Sequence, residues 1–215
     1  GGPTSHVALM ARALGVPAVV GIHDLAEHIE DGQTMILDGF SNTVIADPTE
    51  ETLEIYREKR RRYQHVLQEQ KELLPLDAET EDGVRCHLQA NVEFKEELSL
   101  LDEYGAEGIG LFRTEVLALT HDGILDEEEQ YEVYREVVEA ADPHPATIRL
   151  IDLGGDKMMP MAHREHNPFL GWRGMRILLD REELLHPQLR AILRASRHGR
   201  GRMLLPMITG MHEVR

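Results

Sequence analysis

The spacing of apolar positions changes character twice along the chain. At the front, Val7, Met10, Ala11 and Leu14 recur at helical spacing, and Gly15 followed by Pro17 stops that helix. Ala18-Val19-Val20 then reads as a short apolar strand. Residues 33–37 and 43–46 read as two further strands about the turn residues Asp38-Gly39, with Ser41-Asn42 following. Residues 1–47 therefore read as a small α/β unit whose front half is missing.

Asp47-Pro48-Thr49-Glu50 has the composition of a helix start, with Asp47 as cap, Pro48 at the first helical position and Glu50 at the third. The pattern predicts a helix to about residue 74, where Pro75 stops it. Leu53, Tyr56, Tyr63, Leu67 and Leu74 form a narrow stripe, and the remainder is charged. The run Lys59-Arg60-Arg61-Arg62 reads as a solvated face. A long polar helix with one apolar stripe, placed between two compact units, reads as a connector over residues 48–82.

From residue 83 strands and helices alternate. Strands are expected at 86–92, 108–112 and 147–153, and another begins at 203. Residues 98–104 end a helix, 127–141 form one with an acidic first turn, and two more lie near 171–179 and 183–197. That alternation implies a parallel sheet. Four such strands suit either half of a barrel or part of an open sheet.

Composition narrows the chemistry. The chain has 215 residues, 41% of them hydrophobic, which is enough for a core and argues against disorder. Thirty-nine acidic against 23 basic residues give a formal charge of −16, which repels a phosphate backbone, so no nucleic-acid partner is expected. The single cysteine, Cys86, excludes an intramolecular disulfide framework and a Cys-rich zinc site. No apolar run approaches the ~20 residues that span a bilayer, so no membrane insertion is expected. The chain has no signal peptide and no initiator Met, and it opens inside a motif, so a cytoplasmic piece of a larger protein is the expectation. Only four of the basic residues are Lys. An excess of acid with an Arg-rich base set fits a salt-adapted source or GC-rich coding.

Gly1-Gly2-Pro3-Thr4-Ser5-His6 precedes the first helix. Thr4 or Ser5 can cap it, which puts His6 in the first turn, beside free backbone N–H groups and the positive end of the dipole. Glycines ahead of it let backbone approach an anion. A helix N-terminus disfavours the imidazolium, leaving a neutral, nucleophilic ring near pH 7. Taken alone, a histidine so placed is more often an ordinary capping or surface residue. None of the other histidines shows a metal-ligand spacing on a helix. His163 and His166 are three apart, but in a Pro/Asn/Arg-rich stretch with no third ligand in view.

Three arginines stand at element ends. Gly108-Ile109-Gly110-Leu111-Phe112-Arg113 puts Arg113 just past a strand, Arg149 falls within the next strand, and Asn167-Pro168-Phe169-Leu170-Gly171-Trp172-Arg173 puts Arg173 where a helix begins. Guanidinium forks there would hold carboxylate or phosphate in bidentate pairs, and the C-terminal rim is where a (β/α) barrel binds ligands. An arginine at a strand end otherwise forms a surface ion pair. Arg149, flanked by Ile148 and Leu150, is expected to be partly enclosed and to need an anion. Gly154-Gly155-Asp156-Lys157 lacks the P-loop pattern, so a nucleotide triphosphate site is not supported.

Gly1-Gly2-Pro3-Thr4-Ser5-His6-Val7-Ala8-Leu9-Met10-Ala11-Arg12 resembles the phosphohistidine motif of the phosphoenolpyruvate-utilising enzymes, with Val7 where a small residue is usual. With the arginine and glycine segments in their order, the whole chain resembles the enzyme I group of the bacterial phosphoenolpyruvate:sugar phosphotransferase system. The resemblance implies an α/β fold: the C-terminal part of a swivelling phosphohistidine domain over 1–47, a connector helix over 48–82, and the first half of a (β/α)8 TIM-type barrel over 83–215. It implies a phosphotransferase of sugar transport. His6 carries the phosphoryl group, and Arg113, Arg149 and, less directly, Arg173 hold phosphoenolpyruvate. It implies a swing of His6 about the connector, transfer to a small histidine-containing phosphocarrier protein, a homodimer when full length, and Mg2+ with ligands beyond residue 215. A fragment of this kind is expected to be inactive alone. A pyruvate,phosphate dikinase or phosphoenolpyruvate synthase fragment, or a non-catalytic regulatory paralogue, shares these motifs.

Overall fold

The computed structural model describes residues 8, 11, 15–120, 125–154 and 171–214, divided between two units, Gly1–Asp77 and Ala78–Arg215. The helix expected over 7–14 lies mostly outside the described residues. In the first unit, β1 (Met35–Asp38) and β2 (Thr43–Ala46) pair antiparallel, from Met35 opposite Ala46 to Asp38 opposite Thr43. The turn forms because Asp38 Oδ1 accepts from the N–H groups of Phe40 (3.0 Å) and Ser41 (3.2 Å) and because Asn42 tolerates a left-handed backbone, φ 52°. Ala18-Val19-Val20 is not a strand: no described residue pairs with it, and without a partner an extended segment has no ladder in which to place its backbone groups.

Helix α1 (Glu50–Leu73) starts two residues later than the sequence pattern implies. Thr49, not Asp47, is the cap, its side chain accepting from Thr52 N–H at 3.3 Å. Asp47 is in the left-handed region (φ 47°) and turns the chain out of β2, which leaves it unable to cap. The helix buries no residue. Its front is half-buried at Leu53 and Tyr56, the Tyr63 ring meets Phe40 edge-on at 5.3 Å, and the basic run is solvated as expected. Arg57, Arg61 and Arg62 pair with Glu50, Glu54 and Glu58 along that exposed surface.

The second unit is built on a parallel sheet in the order β3 (Ala90–Val92), β4 (Ile109–Phe112), β5 (Pro145–Arg149), β6 (Arg200–Leu204). Between them run α2 (Glu115–Thr120), α3 (Glu127–Ala141), α4 (Met175–Asp180) and α5 (Glu182–Ala195). The alternation of strands and helices in the sequence thus has the expected outcome. Individual limits differ. Residues 86–89 are not strand, because Arg85 bridges to Glu79 and Cys86 N–H is spent on Ala78 C=O (2.7 Å). Residues 98–104 do not end an α-helix: a 3-10 turn, Lys95–Leu100, is held at its start by the Glu97 carboxylate, which accepts from the N–H groups of Glu93 (2.6 Å) and Phe94 (2.8 Å). Strand β5 begins and ends earlier than expected, since beyond Leu150 the backbone N–H groups turn to side chains, Ile151 to Gln188 and Asp152 to Glu115. Strand β6 begins three residues early, its alternation hidden by Gly201.

Helices α3 and α5 cover one face of this sheet. Tyr134, Val137, Val138, Ala191, Ile192 and Ala195 are buried with Phe112, Ala146 and Ile148, and the Phe112 and Tyr134 rings meet edge to face at 6.4 Å. The other face stays half open, with Asn91 exposed and Leu204 36% exposed. The Gly108-Ile109-Gly110 segment has a structural reason. Gly108 has φ 106° and a Cβ there would sit 2.4 Å from Pro145 O. At Gly110 the register slips by one, so that Ile109 and Phe112, three apart, both face the helices. Among the described residues no helix is long and apolar enough to cross a membrane.

Candidate functional site

The bulge sets up the site. With Phe112 opposite Ile148 in register and both fully buried, strand alternation puts the following residues, Arg113 and Arg149, together at the carboxyl ends of neighbouring strands, on the face away from the helices. Arg113 N–H continues the ladder to Val92 C=O at 3.0 Å. Its guanidinium pairs with Glu93, the residue just past β3, while its Nε is buried without a hydrogen-bond partner.

Arg149 pairs with Glu115: Nε donates to Oε1 at 3.1 Å, and Nη2 lies 3.0 Å from Oε2, a buried oxygen that accepts no hydrogen bond. Only 23% of the Arg149 side chain and 11% of the Glu115 side chain are exposed, so the enclosure and the anion expected of Arg149 are both present. Its Nη1 also lies 3.7 Å from Asp152 Oδ2. Asp152 then carries the chain of charges to Arg173, whose Nε donates to Asp152 Oδ1 at 2.9 Å and whose Nη2 donates to Asp152 C=O at 3.0 Å. Arg173 sits two residues before α4 and bridges to Gly154 by its backbone. Gly174, next to it, has φ 57°, and a Cβ there would press on Asp152 Oδ1 at 3.1 Å, so glycine is what lets Asp152 reach Arg173.

At the ends of β3, β4 and β5 each guanidinium thus has a carboxylate partner, Arg113 with Glu93, Arg149 with Glu115 and Arg173 with Asp152, so the formal charges cancel. Such a rim can hold a small polyanion by trading carboxylate contacts for ligand oxygens, with the guanidiniums already in place. The structure brings Arg149 and Arg173 together through Asp152 and sets Arg113 beside Arg149 by register. His6 lies outside the described residues, as do Asp156, Lys157, His163 and His166. Among the described residues no three His, Cys, Asp or Glu side chains group to hold a metal ion, so these residues do not by themselves fit Mg2+.

A model of the PEP-utilising enzyme PEP-binding domain matches residues 67–215, and one of the PEP-utilising enzyme mobile domain matches residues 1–42. The chain belongs to the PEP-utilising enzymes. Within this family it is similar to the phosphoenolpyruvate-protein phosphotransferases of Staphylococcus epidermidis (43% identical over 217 residues), Staphylococcus aureus (42%) and Buchnera aphidicola subsp. Schizaphis graminum (40%). Each of these matches covers 100% of the chain and 38% of the relative, so the chain spans well under half the length of the curated relatives it matches. All three arginines of this PEP-utilising chain fall in the stretch matched as PEP-binding domain, and His6 falls in the stretch matched as mobile domain.

The carboxylates carry no motif of their own in the sequence. Glu93, Glu115 and Asp152 each follow a strand by three residues or fewer, and that shared position was the signal available. Thr114 and Gln188, which are buried at 2% and 3% exposure, gave none.

Proposed function

We propose that this chain is part of a phosphoenolpyruvate–protein phosphotransferase, in which phosphoenolpyruvate is held at the Arg113–Arg149–Arg173 rim and its phosphoryl group passes to His6. The observation that carries the reading is the in-register pair Arg113 and Arg149 at the carboxyl ends of adjacent parallel strands, the place where α/β folds of this kind bind ligands. The donor's phosphate and carboxylate together require several cationic forks, and the rim supplies three. In the transfer, a histidine ring nitrogen bonds to phosphorus as the phosphorus–oxygen bond to the enol breaks, and the electron pair leaves with the enolate of pyruvate, which then takes a proton. The guanidiniums orient the donor and neutralise charge on the transferring oxygens.

In this reading residues 1–47 are part of a swivelling phosphohistidine domain, 48–82 are a connector, and 83–215 are the first half of a barrel. Parallel sheets are ordinarily covered on both faces, so the half-open face bearing Asn91 and Leu204 supports closure by further strands. The full-length protein passes the phosphoryl on to a small histidine-containing phosphocarrier protein, acts as a cytoplasmic homodimer in sugar uptake, and takes its Mg2+ ligands from beyond residue 215. The 215-residue chain alone is inactive.

Incubating the full-length protein with phosphoenolpyruvate labelled in its phosphate tests this. Label should enter the protein, survive base and be lost in acid, as a phosphohistidine requires, and disappear in His6→Ala. Unchanged labelling of that variant removes His6 as the acceptor.

A further inference from the structure

Behind the rim runs a buried chain of polar side chains that the proposed reaction does not use. Gln130 Nε2 donates to Leu125 C=O (2.8 Å), and Tyr134 OH donates to Gln130 Oε1 (3.0 Å). Gln188 Nε2 donates to Tyr134 OH (3.0 Å) and to Thr114 Oγ1 (3.3 Å), and Thr114 Oγ1 donates to the C=O of Arg149 (3.0 Å). Gln188 Oε1 accepts from Ile151 N–H (3.1 Å). All four side chains are 4% exposed or less. The cavity beside them is about 20 Å3, room for roughly one water. Burial holds the Tyr134 phenol well above its usual range, so it stays a neutral donor.

We propose that Thr114 and Gln188 are positioning residues for Arg149, an inference that rests on the reading of Arg149 as a phosphoenolpyruvate ligand. Strand β5 ends at Arg149, and past that point the ladder no longer fixes the backbone by itself. Thr114 fixes the Arg149 carbonyl, Gln188 fixes the Ile151 N–H, and Leu150 N–H bonds to Leu204 C=O at 2.9 Å. The residue after Thr114 is Glu115, which grips the guanidinium of the same arginine. One dipeptide therefore clamps Arg149 at both ends, and Gln188 on α5 holds that dipeptide. Glu115 also accepts from Asp152 N–H at 2.7 Å, so a shift of the clamp carries Asp152, and with it Arg173, out of place.

The test is a double-mutant cycle in the full-length protein, reading the dissociation constant for phosphoenolpyruvate and kcat separately. Thr114→Val, nearly isosteric but without the hydroxyl, should weaken phosphoenolpyruvate binding about tenfold, the loss of one well-aligned hydrogen bond. Thr114→Ser, which keeps the hydroxyl, should recover binding to within about threefold of the parent. In an Arg149→Lys background, itself weakened, Thr114→Val should add less than about twofold, because its effect runs through Arg149. Gln188→Met provides the same comparison where Thr114→Val does not fold. If Arg149→Lys weakens binding and Thr114→Val or Gln188→Met leaves it unchanged, or multiplies in full on top of Arg149→Lys, the positioning role is wrong and the substrate reading stands. If Arg149→Lys leaves binding intact, the substrate reading fails and takes this inference with it.

Discussion

Replacing Glu115 by Ala is expected to destabilise the second unit by about 3 kcal/mol. The Glu115 Oε1 accepts from Arg149 Nε at 3.1 Å and from Asp152 N–H at 2.7 Å, and its Oε2 lies 3.0 Å from Arg149 Nη2 as an ion pair. Removing one member of a buried charge pair costs about 3–5 kcal/mol because the other is left uncompensated. Here that figure falls to roughly 2, since 23% of the Arg149 side chain is in solvent and Asp152 stays 3.7 Å away as a second partner. Loss of the acceptor for Asp152 N–H adds about 1 kcal/mol. Glu115→Gln, which keeps an oxygen for Asp152 and loses only the charge, should cost about half as much. The assay is urea unfolding of the chain followed by Trp172, its single tryptophan, which lies in the second unit and therefore reports on it alone. At this size about 3 kcal/mol is a fall in Tm of roughly 10 °C. A loss below about 1 kcal/mol for the Ala variant, with the denaturant slope unchanged, would show that Arg149 is held by something other than this ion pair.

Glu107 is held at a pKa of about 2, against an ordinary 4.5, by its bond from His87 (2.7 Å), by Leu88 N–H and by Arg85. Because the folded value is the lower one, the stability it contributes is complete above about pH 4.5 and is lost as the pH falls toward 2. Glu107→Gln should therefore flatten the acid limb of the stability curve between those values and leave the slope near neutrality unchanged, which unfolding titrations at stepped pH would measure. Gly108→Ala forces a Cβ to within 2.4 Å of the Pro145 carbonyl at φ 106°, and should cost roughly 3 kcal/mol in the same unfolding assay; a neutral result would mean that β4 and β5 do not approach as closely as described.

Local chemistry made much of this protein legible in the sequence alone. Helical spacing located α1 and α3, turn residues located the β1–β2 hairpin, and the alternation of strands and helices implied a parallel sheet, because each depends on residues within a few positions of one another. The arginine positions were legible for the same reason: each stands beside an element end that its own neighbours announce. Tertiary contact decided what local pattern could not. Residues 86–89 stay out of the sheet because Glu79 and Ala78 engage Arg85 and Cys86 at their start. The cap of α1 passes to Thr49 because Asp47 is committed to leaving the hairpin. The partners of the arginines, and the line of side chains from Gln130 to Arg149, join residues up to 74 positions apart. A buried guanidinium or amide must find an opposite charge or a hydrogen-bond partner wherever the fold brings one within about 3 Å, and only the packing of strands and helices determines which residue that is.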